Sequence, residues 1–380
     1  MSLSEANQQR LQDFIAQAGE YTKNYLGYPI SRDFSLEELY PLLSYPLNNI
    51  GDPFLESTLK FGSREFEREV IEFFAKLLRA PEDNWWGYVT NGGSEGNLYG
   101  LYLARELYPN GICYFSQDTH YSVSKNLHLL NTRHIMIKSQ ANGEMNYEDL
   151  RETMRVHRDV PPILFVNSGT TMTEARDNLD KIHQILDDLA ITQYYIHVDA
   201  ALAGAINPFL DPRPKFDFAD GADSVSISGH KFIGSPIPCG VVIARKDKVQ
   251  RIARSISYIG TMDTTITGSR NGFTPMVLWH AINKYGMEGL RERAMNSLEM
   301  AAYTEKRLKE IGVDAWRNPN AITVVLPQVS ENLQNRWQLA TSNGICHLIL
   351  MPNTPKEQID QFIGELAAEL EQAKSVKEES

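Results

Sequence analysis

Apolar and polar residues alternate along the chain with two periods, one typical of helices and one of short strands. In SREFEREVIEFFAKLLRAP, Phe66, Val70, Phe74 and Leu77 recur at helical spacing, and Pro81 ends the run. Further along, seven apolar runs predict strands: WWGYVT, GICYFS, RHIMIK, PILFVNS, YYIHVDAAL, DSVSIS and GVVIARK. Amphipathic runs between them predict helices: EGNLYGLYLARELYP, YSVSKNLHLL, NYEDLRETMRVHR and NLDKIHQILDDLA. This order predicts an α/β fold with a mostly parallel sheet.

The same pattern divides the chain into segments. Residues 1–55 contain helix-like runs broken by proline and glycine and are predicted to form an N-terminal arm. Residues 56–285 form the predicted large domain, and a long helix after it is interrupted near Gly286. Residues 286–373 add two strands, AITVVLP and HLILMP, and a helix, which predict a smaller C-terminal α/β domain. The charged tail, 374–380, is predicted to be disordered.

Composition and charge exclude several classes of function. The 380 residues carry a net charge of -11 and no dense lysine or arginine block, so we expect no nucleic-acid partner. No run approaches the ~20 consecutive apolar residues of a membrane span, and no secretory leader is recognisable. The three cysteines are far apart and fit neither a disulfide framework nor a metal site. We therefore expect a cytoplasmic protein without a bound metal.

The first candidate site is TNGGSEGN, which follows a strand and opens a helix. In this position the backbone N–H groups near Gly93 and the hydroxyl of Ser94 face outward at a helix N-terminus, an arrangement that suits a phosphate. The stretch has neither the P-loop pattern nor the dinucleotide-binding pattern. A glycine-rich turn without a ligand is the alternative.

The second candidate is Asp199 in YIHVDAALAG, at the end of an apolar strand. Sheets of this class present binding residues at the carboxyl ends of their strands. A carboxylate buried there needs a cation or hydrogen-bond donors. The small residues that follow leave room for a flat ligand. The alternative is an N-cap for the next turn.

The third candidate is Lys231 in SVSISGHKFIGSP, directly after another predicted strand. A free lysine has a pKa of about 10.4, and only desolvation or a cationic neighbour makes it a nucleophilic amine near neutral pH. His230 and the apolar residues after Lys231 provide such surroundings, although a solvated surface lysine is the alternative. A phosphate turn, a strand-end carboxylate and a lysine are together what pyridoxal phosphate requires.

On these motifs the chain resembles the pyridoxal-phosphate-dependent group II amino acid decarboxylases, of the type I, aspartate-aminotransferase-like fold. The resemblance covers roughly residues 20 to 370 and rests on YPLNNIGDPFLES, NGGSEGN, HVDAALAG, SGHKF and TGSRNG. Within the family these motifs are most similar to those of compact bacterial histidine decarboxylases, while plant serine decarboxylases share much of the pattern. The resemblance implies decarboxylation of L-histidine to histamine and CO2, with the cofactor in the large domain.

The resemblance also implies a role for individual residues. Lys231 would form the imine with the cofactor, Asp199 would pair with the ring nitrogen, and His120 would stack on the ring. Tyr258 is the candidate for returning a proton to Cα. The implied cofactor-binding set is Gly93, Ser94, His120, Thr170, Asp199, Ala201, Ser228, His230, Lys231, Gly268 and Ser269.

Two further expectations follow from the resemblance. Gly268, Ser269 and Arg270 lie in the segment TGSRNG, which looks like one that a neighbouring subunit lends to the site, so a homodimer with a shared active site is implied. Glu174 stands where many family members have glycine or cysteine, and we expect its side chain to point to solvent.

Three other functions stay open at this point. A serine or aromatic amino acid decarboxylase of the same family is the first alternative, because plant serine decarboxylases share much of this pattern. An aminotransferase would need an arginine for the substrate carboxylate, and neither Arg317 nor Arg336 lies in a recognisable motif for that task. A pyridoxal-phosphate-binding protein without catalysis is the third alternative, which the presence of both Lys231 and His120 disfavours.

Overall fold

A computed structural model describes residues 2–252, 254–256 and 261–378. The chain divides into two compact units: Ile30–Asn296 forms the large unit, and Met1–Pro29 joins Ser297–Ser380 in the small one. This differs from the predicted arm, 1–55, because its first part belongs to the small unit, where Leu26 lies in the apolar core. No described helix is both long enough and apolar enough to cross a membrane.

The large unit is an α/β layer around a seven-stranded sheet of order β1-β7-β6-β5-β4-β2-β3. Its strands are β1 (Trp86–Thr90), β2 (Ile112–Ser116), β3 (Arg133–Ile137), β4 (Pro162–Asn167), β5 (Tyr195–Asp199), β6 (Ser224–Ser228) and β7 (Gly240–Ala244). A separate two-stranded antiparallel sheet consists of β8 (Arg254–Ile256) and β9 (Thr261–Asp263). The predicted fold class is confirmed: β2, β3, β4, β5 and β6 run parallel, and only β7 pairs antiparallel with its neighbours.

Seven α-helices of this unit bury part of their surface, and α2 and α3 pack directly on the sheet. They are α2 (Arg64–Leu77), α3 (Gly93–Leu107), α4 (Ser122–Leu129), α5 (Tyr147–Val156), α6 (Leu179–Asp188), α7 (Lys246–Val249) and the first part of α8 (Phe273–Glu310). The predicted interruption of the long helix is confirmed, because Gly286 has a left-handed φ of 58°. One side of the sheet and α3 enclose an apolar core that includes Trp86, Tyr88, Tyr99 and Tyr195.

The small unit combines a three-stranded antiparallel sheet with helices. It contains α1 (Glu5–Tyr21), β10 (Thr323–Pro327), α9 (Glu331–Trp337), β11 (Thr341–Ser342), β12 (Ile345–Ile349) and α10 (Lys356–Glu378). Helix α10 continues into the tail 374–380 that was predicted to be disordered. The physical reason is that helix-forming residues without proline or glycine follow Gly364 as far as Glu378.

Candidate active site

The first turn of α3 brings the predicted phosphate-binding residues together. The glycine-rich turn after β1 ends at Gly92, whose φ of 152° favours glycine, and Ser94 is exposed. A Cβ on Gly93 would lie 2.7 Å from Ser228 Oγ at the end of β6, so glycine permits this close approach. A Cβ on Gly92 would lie 3.8 Å from Cε1 of His230. The helix N-terminus, two serines and a histidine therefore form a cup suited to an anion.

Asp199 ends β5 beside this cup and is buried. Its Oδ1 accepts a hydrogen bond from the Ala201 N–H at 3.0 Å, and its Oδ2 accepts one from Asn97 Nδ2 at 2.7 Å. Ala201 is also close to α3, since its Cβ would lie 3.2 Å from a Cβ on Gly93. The bond to Ala201 caps the turn that follows β5, as the N-cap alternative expects, and the bond to Asn97 links the same carboxylate to α3.

Lys231 lies in a five-residue π-helical turn, Gly229–Ile233, that follows β6 directly. Its backbone is non-helical (φ -93°, ψ -113°), and Gly234 after the turn has a φ of 97°. Burial lowers the pKa of the Lys231 amine, while the Asp199 carboxylate acts in the opposite direction. The side chain is half-buried, so the surface-lysine alternative does not hold.

His120 precedes α4 and belongs to the same electrostatic cluster. Burial lowers the pKa of His120, Lys231 and Lys125 lower it further, and Asp199 raises it. Its Nδ1 lies 2.8 Å from Ser122 Oγ and accepts a hydrogen bond from the Ser122 N–H at 3.3 Å. The proton of the neutral ring is therefore on Nε2.

Glu174 corrects one prediction. Its side chain is fully buried, at a left-handed φ of 53°, and its Oε1 lies 3.2 Å from Arg176 Nη2. The loop after β4 turns back because the Gly169 and Thr170 N–H groups both donate to the Ala175 carbonyl. The expectation that Glu174 points to solvent is therefore wrong, and Arg176 supplies the charge that a buried carboxylate needs.

Thr170, in the same loop, is buried and engaged locally. Its Oγ1 accepts from the Ala175 N–H at 2.9 Å and lies 3.0 Å from Thr173 Oγ1. These contacts shape the loop, and the assignment of Thr170 to the cofactor stays a prediction.

The segment TGSRNG differs in its two halves. Gly268 and Ser269 are exposed, and Ser269 Oγ accepts from Asn48 Nδ2 at 3.1 Å. Arg270 is buried and forms an ion pair with Glu67 of its own chain, and its Nη2 donates to the Gly51 carbonyl at 3.0 Å. The charge of Arg270 is thus paired within its own chain, and the contribution of this segment to a neighbouring subunit's site stays a prediction. Tyr258 lies outside the described residues and stays a prediction.

Sequence reasoning missed two residues behind Asp199. His197 Nε2 lies 2.9 Å from Asn97 Oδ1, and both side chains are buried. Strand alternation gives the missing signal for His197, since residues two apart in β5 face the same side as Asp199. Among the described residues, no three histidine, cysteine or acidic side chains are arranged to hold a metal ion.

The fold and the site together define the class of protein. A mostly parallel sheet flanked by helices presents an anion cup, a strand-end carboxylate and a half-buried lysine at one edge, as in pyridoxal-phosphate enzymes of fold type I. The profile of the pyridoxal-dependent decarboxylase conserved domain matches residues 48–314. The chain belongs to the pyridoxal-dependent decarboxylase family, and its cofactor is pyridoxal 5'-phosphate.

Relatives extend this similarity over nearly the whole chain. A histidine decarboxylase from Mesorhizobium japonicum is 50% identical over 95% of this chain and 98% of its own length. One from Morganella morganii is 45% identical over 97% of this chain and 98% of its own length.

Solved structures agree with the fold. The L-methionine decarboxylase of Streptomyces sp. 590 is 25% identical and has a TM-score of 0.89, over 97% of this chain and 95% of its own. An Oryza sativa TDC solved with PLP and tryptamine has a TM-score of 0.81 over 97% of this chain and 89% of its own. At 16% identity the second likeness concerns the fold alone.

The residues present fit the cofactor. The cradle at Gly93 accepts no side chain, its neighbours carry hydroxyl groups and an imidazole, and the amine of Lys231 lies in the same cluster as the Asp199 carboxylate. Phosphate, ring nitrogen and aldehyde therefore each have a chemically suitable partner.

Proposed function

We propose that this protein is a histidine decarboxylase, which converts L-histidine to histamine and carbon dioxide. One observation carries the proposed reaction: Lys231, Asp199 and His120 form one cluster of interacting titratable groups beside a helix N-terminus. Two histidine decarboxylases that match almost end to end, at 50% and 45% identity, support the substrate.

The proposed cofactor contacts divide into two ends. At the phosphate end, Gly93, Ser94, Ser228 and His230 would hold the anion at the first turn of α3. At the ring end, Lys231 would hold the aldehyde covalently, Asp199 would pair with the ring nitrogen, and Thr170 and Ala201 would line the pocket. Bound pyridoxal phosphate supplies an electron-accepting ring for the electron pair released when the bond between Cα and the carboxylate breaks.

His120 would orient the substrate. The lowered pKa of its imidazole keeps the ring neutral near pH 7, with the proton on Nε2. This N–H would donate to the substrate carboxylate and hold it for bond cleavage. Tyr258 is the proposed donor of the proton that Cα takes up afterwards.

A homodimer with a shared active site is part of the proposal, and a cytoplasmic location is expected. No residue of the 17-residue helix α1 is buried, although Leu11, Phe14, Ile15 and Tyr21 are large apolar side chains. A single helix of this length is only marginally stable in water, so a second copy would supply its missing partner surface. Gly268 and Ser269 are exposed as well, and would complete the neighbour's site.

The proposed reaction is tested by its products. Purified enzyme loaded with cofactor is given L-histidine, L-serine, L-methionine or an aromatic amino acid, and CO2, amine and keto acid are measured. We expect equal amounts of CO2 and histamine from histidine, with no keto acid. CO2 mainly from another amino acid would contradict the substrate, keto acid would indicate an aminotransferase, and no turnover would indicate a non-catalytic binding protein.

The residue at the centre of the proposal is tested in the same assay. Lys231→Ala should lower the rate of CO2 release by at least about 10³-fold, because the covalent link to the cofactor is lost. Lys215→Ala, which removes an exposed lysine paired with Asp180, is the matched control and should keep the parent rate. Equal rates in both variants would contradict the assignment of Lys231.

A further inference from the structure

A continuous chain of buried hydrogen bonds leads away from Asp199 into the large unit. Asn97 Nδ2 is 2.7 Å from Asp199 Oδ2, and Asn97 Oδ1 is 2.9 Å from His197 Nε2. His197 Nδ1 is 2.7 Å from Ser224 Oγ, which is 2.9 Å from the Tyr195 hydroxyl. All five side chains are buried, so water does not compete for these bonds.

The chemistry of the groups fixes the direction of the chain. A carboxylate only accepts, so Asn97 must turn its NH2 group toward Asp199 and its Oδ1 toward His197. His197 Nε2 must then carry a hydrogen, and Nδ1 accepts from the Ser224 hydroxyl, which in turn accepts from Tyr195. Burial lowers the pKa of His197 to about 3, and the neutral imidazole has the single N–H that this direction requires.

Two glycines of α3 leave room for this chain of hydrogen bonds. A Cβ on Gly100 would lie 2.1 Å from His197 Nδ1, and one on Gly96 would lie 2.2 Å from Ser226 Oγ. These glycines bring α3 against β5 and β6, so that Asn97 reaches both His197 and Asp199. The same helix presents Gly93 and Ser94 at its N-terminus, which joins the two ends of the cofactor site in one element.

We propose that Asn97 and His197 are positioning residues that fix the Asp199 carboxylate through this one-way chain of hydrogen bonds. Asn97 holds Oδ2 and the Ala201 N–H holds Oδ1, so rotation of the carboxylate is blocked on both sides. His197 acts on Asp199 only through Asn97, whose amide it prevents from turning over. The inference rests on the proposed role of Asp199 at the ring nitrogen.

The direction of the chain is tested first, by a measurement that involves no substrate. In holoenzyme labelled with ¹⁵N-histidine, the His197 signals are assigned by their absence from His197→Gln. We expect a neutral ring protonated on Nε2 that does not titrate between about pH 5 and 8, since it is buried and bonded at both nitrogens. A ring protonated on Nδ1, or one that titrates in this range, would overturn the proposal.

The effect on the site is tested with graded variants, using the dissociation constant of pyridoxal phosphate and the values of kcat and KM for histidine. His197→Phe keeps a ring but removes both nitrogens, and should weaken cofactor binding and lower kcat by about tenfold each, with KM nearly unchanged. His197→Gln places an amide N–H near the position of Nε2 and should restore most of both losses. His183→Phe, a histidine of α6 that bonds the Asp220 carbonyl, is the matched control and should change neither.

The outcomes separate this inference from the proposed function. Parent-like cofactor affinity in His197→Phe would overturn the positioning role, even if histidine is the substrate. Weaker cofactor binding in His197→Phe that His197→Gln restores would support the role, even if another amino acid is the substrate. An equal loss in His197→Phe and His197→Gln, with the folding midpoint unchanged, would also contradict it.

Discussion

The backbone conformation around Lys231 already distinguishes this residue from a surface lysine. The π-helical turn after β6 holds it at half burial, and the Phe232 carbonyl accepts from Arg293 Nη2 at 3.1 Å. Arg293 is itself held by an ion pair with Asp33, so the turn is anchored within the large unit. Since burial lowers the pKa of Lys231, a larger fraction of its amine is neutral and nucleophilic near pH 7.

The buried ion pair between Glu174 and Arg176 can be tested by substitution. Glu174→Gln leaves the Arg176 charge without its carboxylate, and should lower the free energy of unfolding by about 3 kcal/mol. Glu72→Gln removes an exposed carboxylate from its pair with Lys76 and is the matched control, with no measurable change expected. Urea unfolding of both variants checks this. A loss for Glu174→Gln no larger than for the control would contradict the buried pair.

The lowered pKa of His197 should make the folded state less stable in acid. The unfolded chain protonates this histidine below about pH 6.5, whereas the folded chain does so only near 3, so acidification favours the unfolded state. As the pH is lowered from 6.5 to 4.5, the contribution of His197 to the free energy of unfolding should fall by about 2 kcal/mol.

The measurement compares the parent protein with His197→Gln, which cannot titrate at this position. Denaturant unfolding at both pH values should show the stability of the parent falling relative to the variant as the pH is lowered. A difference between the two proteins that stays constant with pH would show that the folded state protonates His197 as readily as the unfolded chain.

Residues differ in how far sequence alone can place them. The positions of Lys231, Asp199 and Ser94 could be predicted because each lies at the junction of two elements, where local patterns carry the signal. The partnership of His197 with Asn97 could not be predicted, since it joins residues about a hundred positions apart through tertiary contact. The prediction for Glu174 was wrong for the same reason, because the residues around its side chain are determined by how the loop folds back.

Among the elements, α3 contributes most to the site. It supplies the anion cup at its first turn and Asn97 one turn later, and its glycines allow β5 and β6 to approach. Its position follows from packing, because Tyr99, Leu101 and Leu103 are fully buried in the core of the large unit. The helix therefore fixes the distance between the proposed phosphate-binding end and the carboxylate end of the site.

This close approach predicts opposite effects for the same substitution in two helices. Gly100→Ala would drive a methyl group into the His197 ring, and should lower the free energy of unfolding by about 2 kcal/mol and weaken cofactor binding. A methyl group added by Gly364→Ala in α10 would have no atom within 4 Å. This variant should raise the free energy of unfolding by about 0.5–1 kcal/mol. Thermal or urea unfolding distinguishes them, and a stabilised Gly100→Ala would show that α3 is not in this contact.

Hydrophobic periodicity predicted every strand of the large sheet, but not its order or the reversal of β7. Strand order depends on how the helices cross the sheet, and seven short apolar runs read alike in the sequence. The short strands β8, β9 and β11 were not predicted, because two or three residues carry no period. The helix α9 was missed as well, since its seven residues show little alternation.

At the scale of the whole molecule, the N-terminal helix is the feature that points beyond a single chain. Leu11, Phe14, Ile15 and Ala18 lie on one face of α1 and are all exposed. An apolar stripe of this kind is typical of a helix that packs against a partner. The proposed dimer would cover it.

The proposed dimer is tested by placing charge on this face. Phe14→Asp with Ile15→Asp should reduce the sedimenting species from two chains to one, and activity should fall with it if the site is shared. Gln9→Asp with Ala16→Asp adds the same charge to the opposite face of α1 and is the matched control. Dimers that persist in the first double variant would show that α1 is not the interface.

The central claim is that one amine, that of Lys231, carries the cofactor, and chemical trapping tests it most directly. The holoenzyme is reduced with borohydride, digested, and its peptides are mapped by mass spectrometry. We expect a single pyridoxyl group, attached to the lysine between His230 and Phe232. A group attached to a different lysine, or no stable attachment, would contradict the account.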